Sequence, residues 1–328
     1  MDASTDVLHF SEGALAYAGY HFHDEPHPLH SHSFVEIAFV TAGSGAHLSR
    51  RGRETLRVGD VVLLRPGVWH GYEDCHHLTL YNLCFSDELL RQELTWTRDD
   101  PMLGYLLWTG PYSAQRRGML STHLEPGPLA ECEDHLAAIS KLRHSPAAPY
   151  RADIVGRLSL LFGQVGRAVA LAHELAPGSA AQIHPAIGRA MRLFEAELAH
   201  RWTLTELAAD LHLDPSYLVR LFKTSTGLPP MAYLAQLRAE HAATLLLHSD
   251  QPVTSISQAV GWPDQNYFAR RFKAHYGLSA TTYRARFAAG ADRLRFQRLP
   301  ITKPAVRRKR PLPPGSGAGV VAGHGGQD

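Results

Sequence analysis

Two sets of side chains in this 328-residue chain have types and spacings that could do chemistry. The first is His30, His32, Glu36 and His70. Three imidazoles and a carboxylate are a competent donor set for a divalent transition metal. They are equally competent hydrogen-bonding partners for the hydroxyls of a sugar. A third reading leaves them as polar residues inside a barrel that bind nothing, and residue type alone keeps all three open. The second set is Ser216, Val219, Arg220 and Lys223, answered fifty residues later by Asn266, Ala269, Arg270 and Lys273, with Gln265 just ahead. Short polar groups and arginines near a helix N-terminus are what readout of base edges in the major groove uses.

The second set is positioned by a repeat. Residues 203–234 and 253–284 align on Tyr217 and Tyr267, with Arg220 on Arg270, Phe222-Lys223 on Phe272-Lys273, and Gly227 on Gly277. The offset is 49 residues before the central turn and 50 after it, so the second turn carries one extra residue. In the first copy Thr203, with Glu206 three residues on, makes a capping box that opens a helix. Asp214 followed by Pro215 is an N-cap with a first-turn proline, which starts a second helix. Leu204, Leu207, Leu211, Leu218 and Phe222 fall at helical spacing and close a small core between the two. Each copy therefore reads as helix–turn–helix, with its polar and basic residues left outside. Residues 230–248 lack internal Gly or Pro and predict a joining helix of roughly 28 Å. That length sets the two outer helices roughly 34 Å apart, one turn of DNA.

The first set is positioned by short strands. In HSHSFVEIAFVTAGSG, alternation puts His30, His32, Phe34, Glu36, Ala38 and Val40 on one face. Further strands are expected at 15–22, 46–50, 54–58, within VVLLRPGVWHGY, and at 78–85. Turn signals between them argue for a β-barrel or sandwich. His21, His23, His27, His76 and His77 are expected to coat the surface.

Residues 184–284 resemble the DNA-binding domain of the AraC-type bacterial transcription regulators. The series G-W-x-D-x-N-Y-F-x-R-x-F-K-x-x-x-G, from Gly261 to Gly277, is close to that family's signature. Ser257 stands where the family usually has Ala, and Ala280 where it has Pro. The front of the chain resembles a cupin barrel. His30-x-His32-x3-Glu36-x6-Gly43 fits the first cupin motif, and the run from Gly59 through Pro66-Gly67 to His70 approximates the second. Asp24 replaces the leading Gly, and Asp74 the usual Asn. The stretches at 28–36 and 65–72 are especially similar to sensor domains of AraC-type regulators for sugars such as rhamnose. The resemblance implies a homodimer formed through the region that follows the barrel, with RNA polymerase as a further partner.

Charge follows the same division. Residues 1–180 hold 14 Lys and Arg against 21 Asp and Glu, and residues 181–328 hold 19 against 10. An acidic front and a basic back suit a sensor joined to a nucleic-acid binder. Cys75, Cys84 and Cys132 have no C-x-x-C spacing and read as free thiols of a reducing cytoplasm. No apolar run of membrane-spanning length and no leader are read, which predicts a soluble intracellular protein. Residues 87–127 give no clear pattern. Helices are expected at 128–144 and 151–174, the second with an apolar stripe of Ile154, Leu158, Leu161, Phe162, Val165 and Val169. That stripe either packs on the barrel or forms a subunit seam. A linker at 176–182 precedes a helix at 184–200. A basic tail after 287 has the composition of a disordered segment.

The expected fold is α+β in two domains. Residues 1–127 form a cupin-like effector-binding barrel, 128–183 a helical connector, 184–287 an all-α domain with two helix–turn–helix units, and 288–328 a tail. The expected function is a cytoplasmic, ligand-responsive regulator, an activator, that reads promoter DNA and senses a carbohydrate. His30, His32, Glu36 and His70 are its ligand residues, with no catalytic residue and no stoichiometric metal. One rival is a metal-dependent cupin enzyme carrying a DNA-binding tail, and another is a DNA binder that answers to no ligand.

Overall fold

A computed structural model describes residues 15–112, 115–142, 147–172 and 184–291. The linker at 176–182 and the tail from 292 onward lie outside the described residues. Seven antiparallel strands build the front: β1 (Ala16–His23), β2 (His27–His30), β3 (Val35–Ser49), β4 (Gly52–Arg57), β5 (Asp60–Leu64), β6 (His70–Phe85) and β7 (Met119–His123). Their order is β1-β6-β3-β5-β7, with β2 on β6 and β4 on β3. The two long strands carry the curvature. β3 pairs with β6 along its length, and the register slips between Val40 and Ala42, Ala42 and Ser44, and Ser44 and Ala46. Such bulges bend and coil a sheet. Gly43 sits at this bend with φ of 70°, where a Cβ would lie 2.2 Å from the carbonyl oxygen of His77. No side chain fits there.

The expected strand through 28–40 is broken in two. β2 ends at His30, residues 31–34 cross as a connection, and β3 starts at Val35. His30 therefore pairs with His70 on β6, while Glu36 lies on β3. Residues 87–112, which gave no pattern, hold α1 (Asp87–Gln92), α2 (Pro101–Gly104) and short turns of tighter and wider helix. Elements of six residues or fewer span less than two helical turns, so no apolar stripe develops.

Two connector helices follow, α3 (Pro126–Leu142) and α4 (Ala147–Ala172). The stripe on α4 is wholly buried, and Phe162 lies 5.5 Å from Phe85 of β6. It packs on the barrel, so Leu158, Leu161 and Val165 are not a subunit seam. This helix is also long and apolar enough, over Tyr150–Ala172, to cross a membrane by length and composition. That corrects the sequence reading. Its most apolar face is covered by the barrel's core instead.

The helical region comprises α5 (Pro185–Ala196), α6 (Leu204–Asp210), α7 (Pro215–Thr226), α8 (Pro230–His248), α9 (Val253–Ala259), α10 (Gln265–Tyr276) and α11 (Ala280–Ala291). The repeat is reproduced in detail. Asp214 Oδ1 accepts from the backbone N–H of Ser216 and Tyr217 at 2.8 and 3.0 Å, and Asp264 Oδ1 from Asn266 and Tyr267 at the same distances. Each cap contributes about 1 kcal/mol to its helix. Gly227 and Gly277 close the two helices at φ of 76° and 80°. The capping box at Thr203 and Glu206 is formed.

Burial crosses the expected domain boundary. A single apolar cluster runs from Phe39, Leu83 and Phe85 of the barrel through α4 to Phe194, Phe222 and Leu234 of the first helix–turn–helix unit. The second unit has its own cluster, including Ala239, Leu246, Trp262, Phe268, Phe272 and Tyr283. Two-domain architecture suggests separate cores for sensor and DNA-binding domain; only the second unit has a distinct cluster, and Leu29 and Trp69 of the barrel pack against it. Two buried arginines reinforce the junction. Arg98 makes contacts of 2.7 and 2.8 Å to both oxygens of Glu195 on α5, and its guanidinium lies 4.0 Å from the Trp108 ring centre. Arg65 donates to Asp87 at 2.8 Å and to Glu240 of α8 at 3.2 Å, and Tyr112 Oη donates to the same Glu240 oxygen at 2.8 Å. Burial raises the Asp87 pKa, but Arg65 and Arg91 outweigh it and hold the carboxyl down at about 2.

Candidate functional site

The barrel interior holds a histidine cluster larger than the sequence motif. His30 and His70, paired across β2 and β6, have ring centres 4.2 Å apart, and His32 lies 5.3 Å from His70. His47, one of the fully buried side chains, sits 5.6 Å from His70 on the other side. His27 lies 4.8 Å from His30, and His23 lies 5.0 Å from His27 and 5.3 Å from Tyr72. His21 stacks 6.4 Å from His23. His21, His23 and His27 thus belong to the cluster and do not coat the surface, whereas His76 and His77 are exposed. His47 was not singled out in the sequence. Its signal was its place on β3, where it pairs with Tyr72 across the sheet.

The protonation of the cluster follows from burial. Loss of hydration pushes His30 down to about 3 and His21, His23 and His47 to about 4, and it holds His70 well below its ordinary value. These imidazoles are neutral at physiological pH. Burial pushes the Glu36 carboxyl up, but the neighbouring His32 and the other imidazoles reverse the direction, so it stays a carboxylate. Glu36 Oε1 accepts from Asn82 Nδ2 at 2.9 Å, and Glu36 Oε2 lies 3.1 Å from His32 Nε2.

Backbone carbonyls fix the ring orientations. His30 Nδ1 faces Pro28 O at 3.1 Å, His32 Nδ1 faces Phe34 O at 3.0 Å, and His70 Nδ1 faces Val68 O at 3.5 Å. A carbonyl accepts only, so these Nδ1 atoms carry a proton, and in the neutral His30 and His70 rings Nε2 presents a lone pair. Both ring nitrogens of His47, Nε2 of His70 and the hydroxyl of Tyr72 are buried with no hydrogen-bond partner among the described residues. Each such group costs roughly 1–3 kcal/mol unless a bound species satisfies it. One donor atom each from His32, Glu36 and His70 lies within 4.8 Å of the others. This donor set fits a divalent transition metal, and the wider cluster fits a polyhydroxyl compound.

The other candidate site is the exposed, basic face of the two helix–turn–helix units. Ser216, Arg220 and Lys223 on α7 are exposed, with Val219 half-buried beside them. Gln265, Asn266, Arg270 and Lys273 on α10 are exposed in the matching places. Two residues with no role assigned from the sequence join them. Tyr217 and Tyr267 are 41% and 42% exposed, and Arg220 and Arg270 lie over their rings at 6.0 and 5.9 Å. Equivalent pairs on both helices hold the guanidinium groups outward.

An enclosed polar cluster in a barrel, packed against two helix–turn–helix units with basic faces, defines a ligand-responsive, sequence-specific DNA-binding regulator of transcription. Residues 12–174 match the family described as AraC-like ligand binding domain, and residues 207–286 match the helix-turn-helix domain family. The chain belongs to the AraC-type family of transcription regulators. It is 26% identical over 258 residues to the HTH-type transcriptional activator RhaR of Yersinia pestis bv. Antiqua (strain Angola), covering 79% of this chain and 84% of that protein. It is 26% identical over 266 residues to RhaR of Klebsiella pneumoniae subsp. pneumoniae, covering 80% and 89%. Among solved structures, ToxT from Vibrio cholerae O395 is similar at a TM-score of 0.48 and 11% identity, over 82% of this chain and 97% of that one.

Proposed function

We propose that this protein is a cytoplasmic transcription activator of a carbohydrate-metabolism operon, and that its effector is a small polyhydroxyl compound held by His30, His32, Glu36 and His70. The observation that carries this reading is the set of buried neutral imidazoles, with the Glu36 carboxylate beside them and unsatisfied nitrogens among them. Alternating donors and acceptors at this spacing suit sugar hydroxyls, and the relatives named activators of transcription support the sign of regulation. Binding moves an equilibrium between states of different DNA affinity, and the protein catalyses no reaction.

A second reading has one specific observation in its favour. With its Nδ1 donating to Phe34 O, His32 places Nε2 3.1 Å from Glu36 Oε2. Two acceptors at that distance repel unless a cation lies between them, either a proton on Nε2 or a metal ion. In the metal case His32, Glu36 and His70 would hold the ion, which would supply Lewis acidity at the site. The test is elemental analysis of purified protein, followed by calorimetric titration of chelator-treated protein with monosaccharides, L-rhamnose first. We expect no stoichiometric metal, sugar binding that survives the chelator, and loss of binding in Glu36→Gln. One tightly held metal per chain, released in His70→Ala, would overturn the sugar reading and establish the metal one.

The protein is further proposed to work as a homodimer that contacts RNA polymerase. With the inner stripe of α4 buried, the pairing surface is the opposite face, where Leu160 and Leu171 are 60% and 81% exposed. They are three helical turns apart and so share one side. Leu160→Glu is expected to sediment as a folded monomer; a folded dimer would refute this surface.

A further inference from the structure

Two backbone segments serve the histidine cluster and the second helix–turn–helix unit at once. In residues 30–33 the side chains alternate. His30 and His32 join the cluster, while Ser31 Oγ lies 2.6 Å from Tyr283 Oη and Ser33 Oγ lies 2.6 Å from His248 Nε2. In residues 66–70, His70 joins the cluster while its neighbours hold the second unit. Tyr276 Oη donates to Pro66 O at 3.3 Å, Tyr283 Oη donates to Gly67 O at 2.8 Å, and Trp69 Nε1 donates to Tyr276 O at 2.9 Å. The backbone N–H of Gly67 donates to His32 O at 2.8 Å, which ties the two segments together.

Tyr283 is the common point. Its single hydroxyl proton is committed to Gly67 O, so it accepts the proton of Ser31. One phenol thus reads the positions of both cluster-bearing segments. Gly67 lets α10 approach closely: a Cβ there would lie 2.5 Å from the Tyr276 hydroxyl and 2.6 Å from Ala243 Cβ. The first unit is held differently. It shares the barrel's apolar core and is fastened by Arg98 to Glu195, while Arg65, just before Pro66, holds Glu240 of the joining helix α8.

We infer that occupancy of the histidine cluster is passed to the second helix–turn–helix unit alone, through Tyr283 on segments 31–33 and 66–70, while the first unit stays fixed to the sensor. A ligand that draws the backbone at His30 or His32 toward itself shifts Ser31, which shares a peptide plane with each, and Gly67, whose N–H is bonded to His32 O. The second unit answers because its core is distinct from the barrel's larger one and meets the sensor at Leu29 and Trp69, on or beside the same two segments. The inference rests on the reading of the cluster as the effector site. Tyr283 is here a positioning residue.

Amide hydrogen exchange of the full chain tests it, reading α6–α7 and α10–α11 separately. Tyr283→Phe keeps the ring, which lies 5.4 Å from Phe272 and 5.2 Å from Tyr276, and removes both hydroxyl contacts. We expect exchange in α10–α11 to quicken roughly 10-fold or more, with α6–α7 unchanged. Ser31→Ala, which is milder, should do the same to a smaller extent. Equal quickening in both units, or none in α10–α11, would overturn the inference. L-rhamnose supplies the coupling readout. In wild type, protection of β2 and β6 should come with a change in α10–α11, and in Tyr283→Phe the first should persist without the second. Protection of β2 and β6 with α10–α11 unmoved in wild type refutes the relay and leaves the effector reading intact. If β2 and β6 do not respond, the sugar reading has failed. Glu36→Gln, which perturbs the cluster without any ligand, then decides the relay by the same comparison of units.

Discussion

The junction between sensor and first DNA-reading unit turns on Arg98, and removing it is the sharpest test of the shared core. The Arg98 side chain is 1% exposed and its partner Glu195 is 12% exposed. Arg98→Met would delete two charge-assisted contacts of 2.7 and 2.8 Å and the guanidinium over Trp108 at 4.0 Å. The Coulomb attraction of such a pair is about 4 kcal/mol at an effective dielectric of 20, and most of it offsets the cost of desolvation. What the variant loses is larger than that balance, because Glu195, only 12% exposed, is left without its hydrogen-bonded cation and with Arg91 as a more distant charge. Leaving one such charge unpaired costs about 3–5 kcal/mol. We therefore predict that Arg98→Met lowers unfolding free energy by about 3–5 kcal/mol, and that Glu195→Gln in the same background recovers most of the loss. Urea denaturation followed by tryptophan fluorescence, with Trp108 and Trp202 on the two sides of the junction, reads both. In one cooperative unit the two sides unfold together, and the variant moves their shared midpoint. A change below about 1 kcal/mol, or a first unit that melts independently of the barrel, would refute the argument.

Further predictions concern the outer face and the docked second unit. Arg220→Ala or Arg270→Ala should weaken specific promoter binding by roughly 1–3 kcal/mol and relax base preference in one half of the site; unchanged affinity and footprints in both would remove them from base readout. His275 is pushed down to about 3 by burial first, and then by Arg50, Arg117 and Arg271 around it. Its folded pKa lies below the unfolded value of 6.5, so the packed state holds full stability above 6.5 and loses it as pH falls toward 3. The loss approaches about 1.4 kcal/mol per pH unit, so His275→Gln should flatten the acid slope of α10 exchange between about pH 6.5 and pH 5; an unaltered slope would exclude His275 as its source.

What the sequence disclosed depended on whether a feature was local. Asp214 and Asp264, Gly227 and Gly277, and the periodic Leu and Phe between them act within one or two helical turns, so the repeat was readable in full. The α4 stripe was readable as a buried face, but periodicity does not say what buries it, and the barrel did. His21 and His23 share a strand face with period two, yet which face looks inward is settled by sheet closure, through pairs such as Tyr20 with Tyr81. His27 reaches the cluster only by the turn between β1 and β2. β7 escaped notice because it is five residues long and is placed by pairing with β5, sixty residues earlier.

The continuous core also bears on the order in which the chain leaves the ribosome. The barrel and its connector helices are synthesised first and can fold before α5 emerges. The first DNA-reading unit then condenses on a finished surface, with Tyr233 settling 5.1 Å from Tyr112 and Glu195 meeting an arginine already in place. A nascent chain therefore assembles its control element before it has a stable grip on a promoter. Proteolysis within 176–182 would leave the trailing fragment with an uncovered apolar flank.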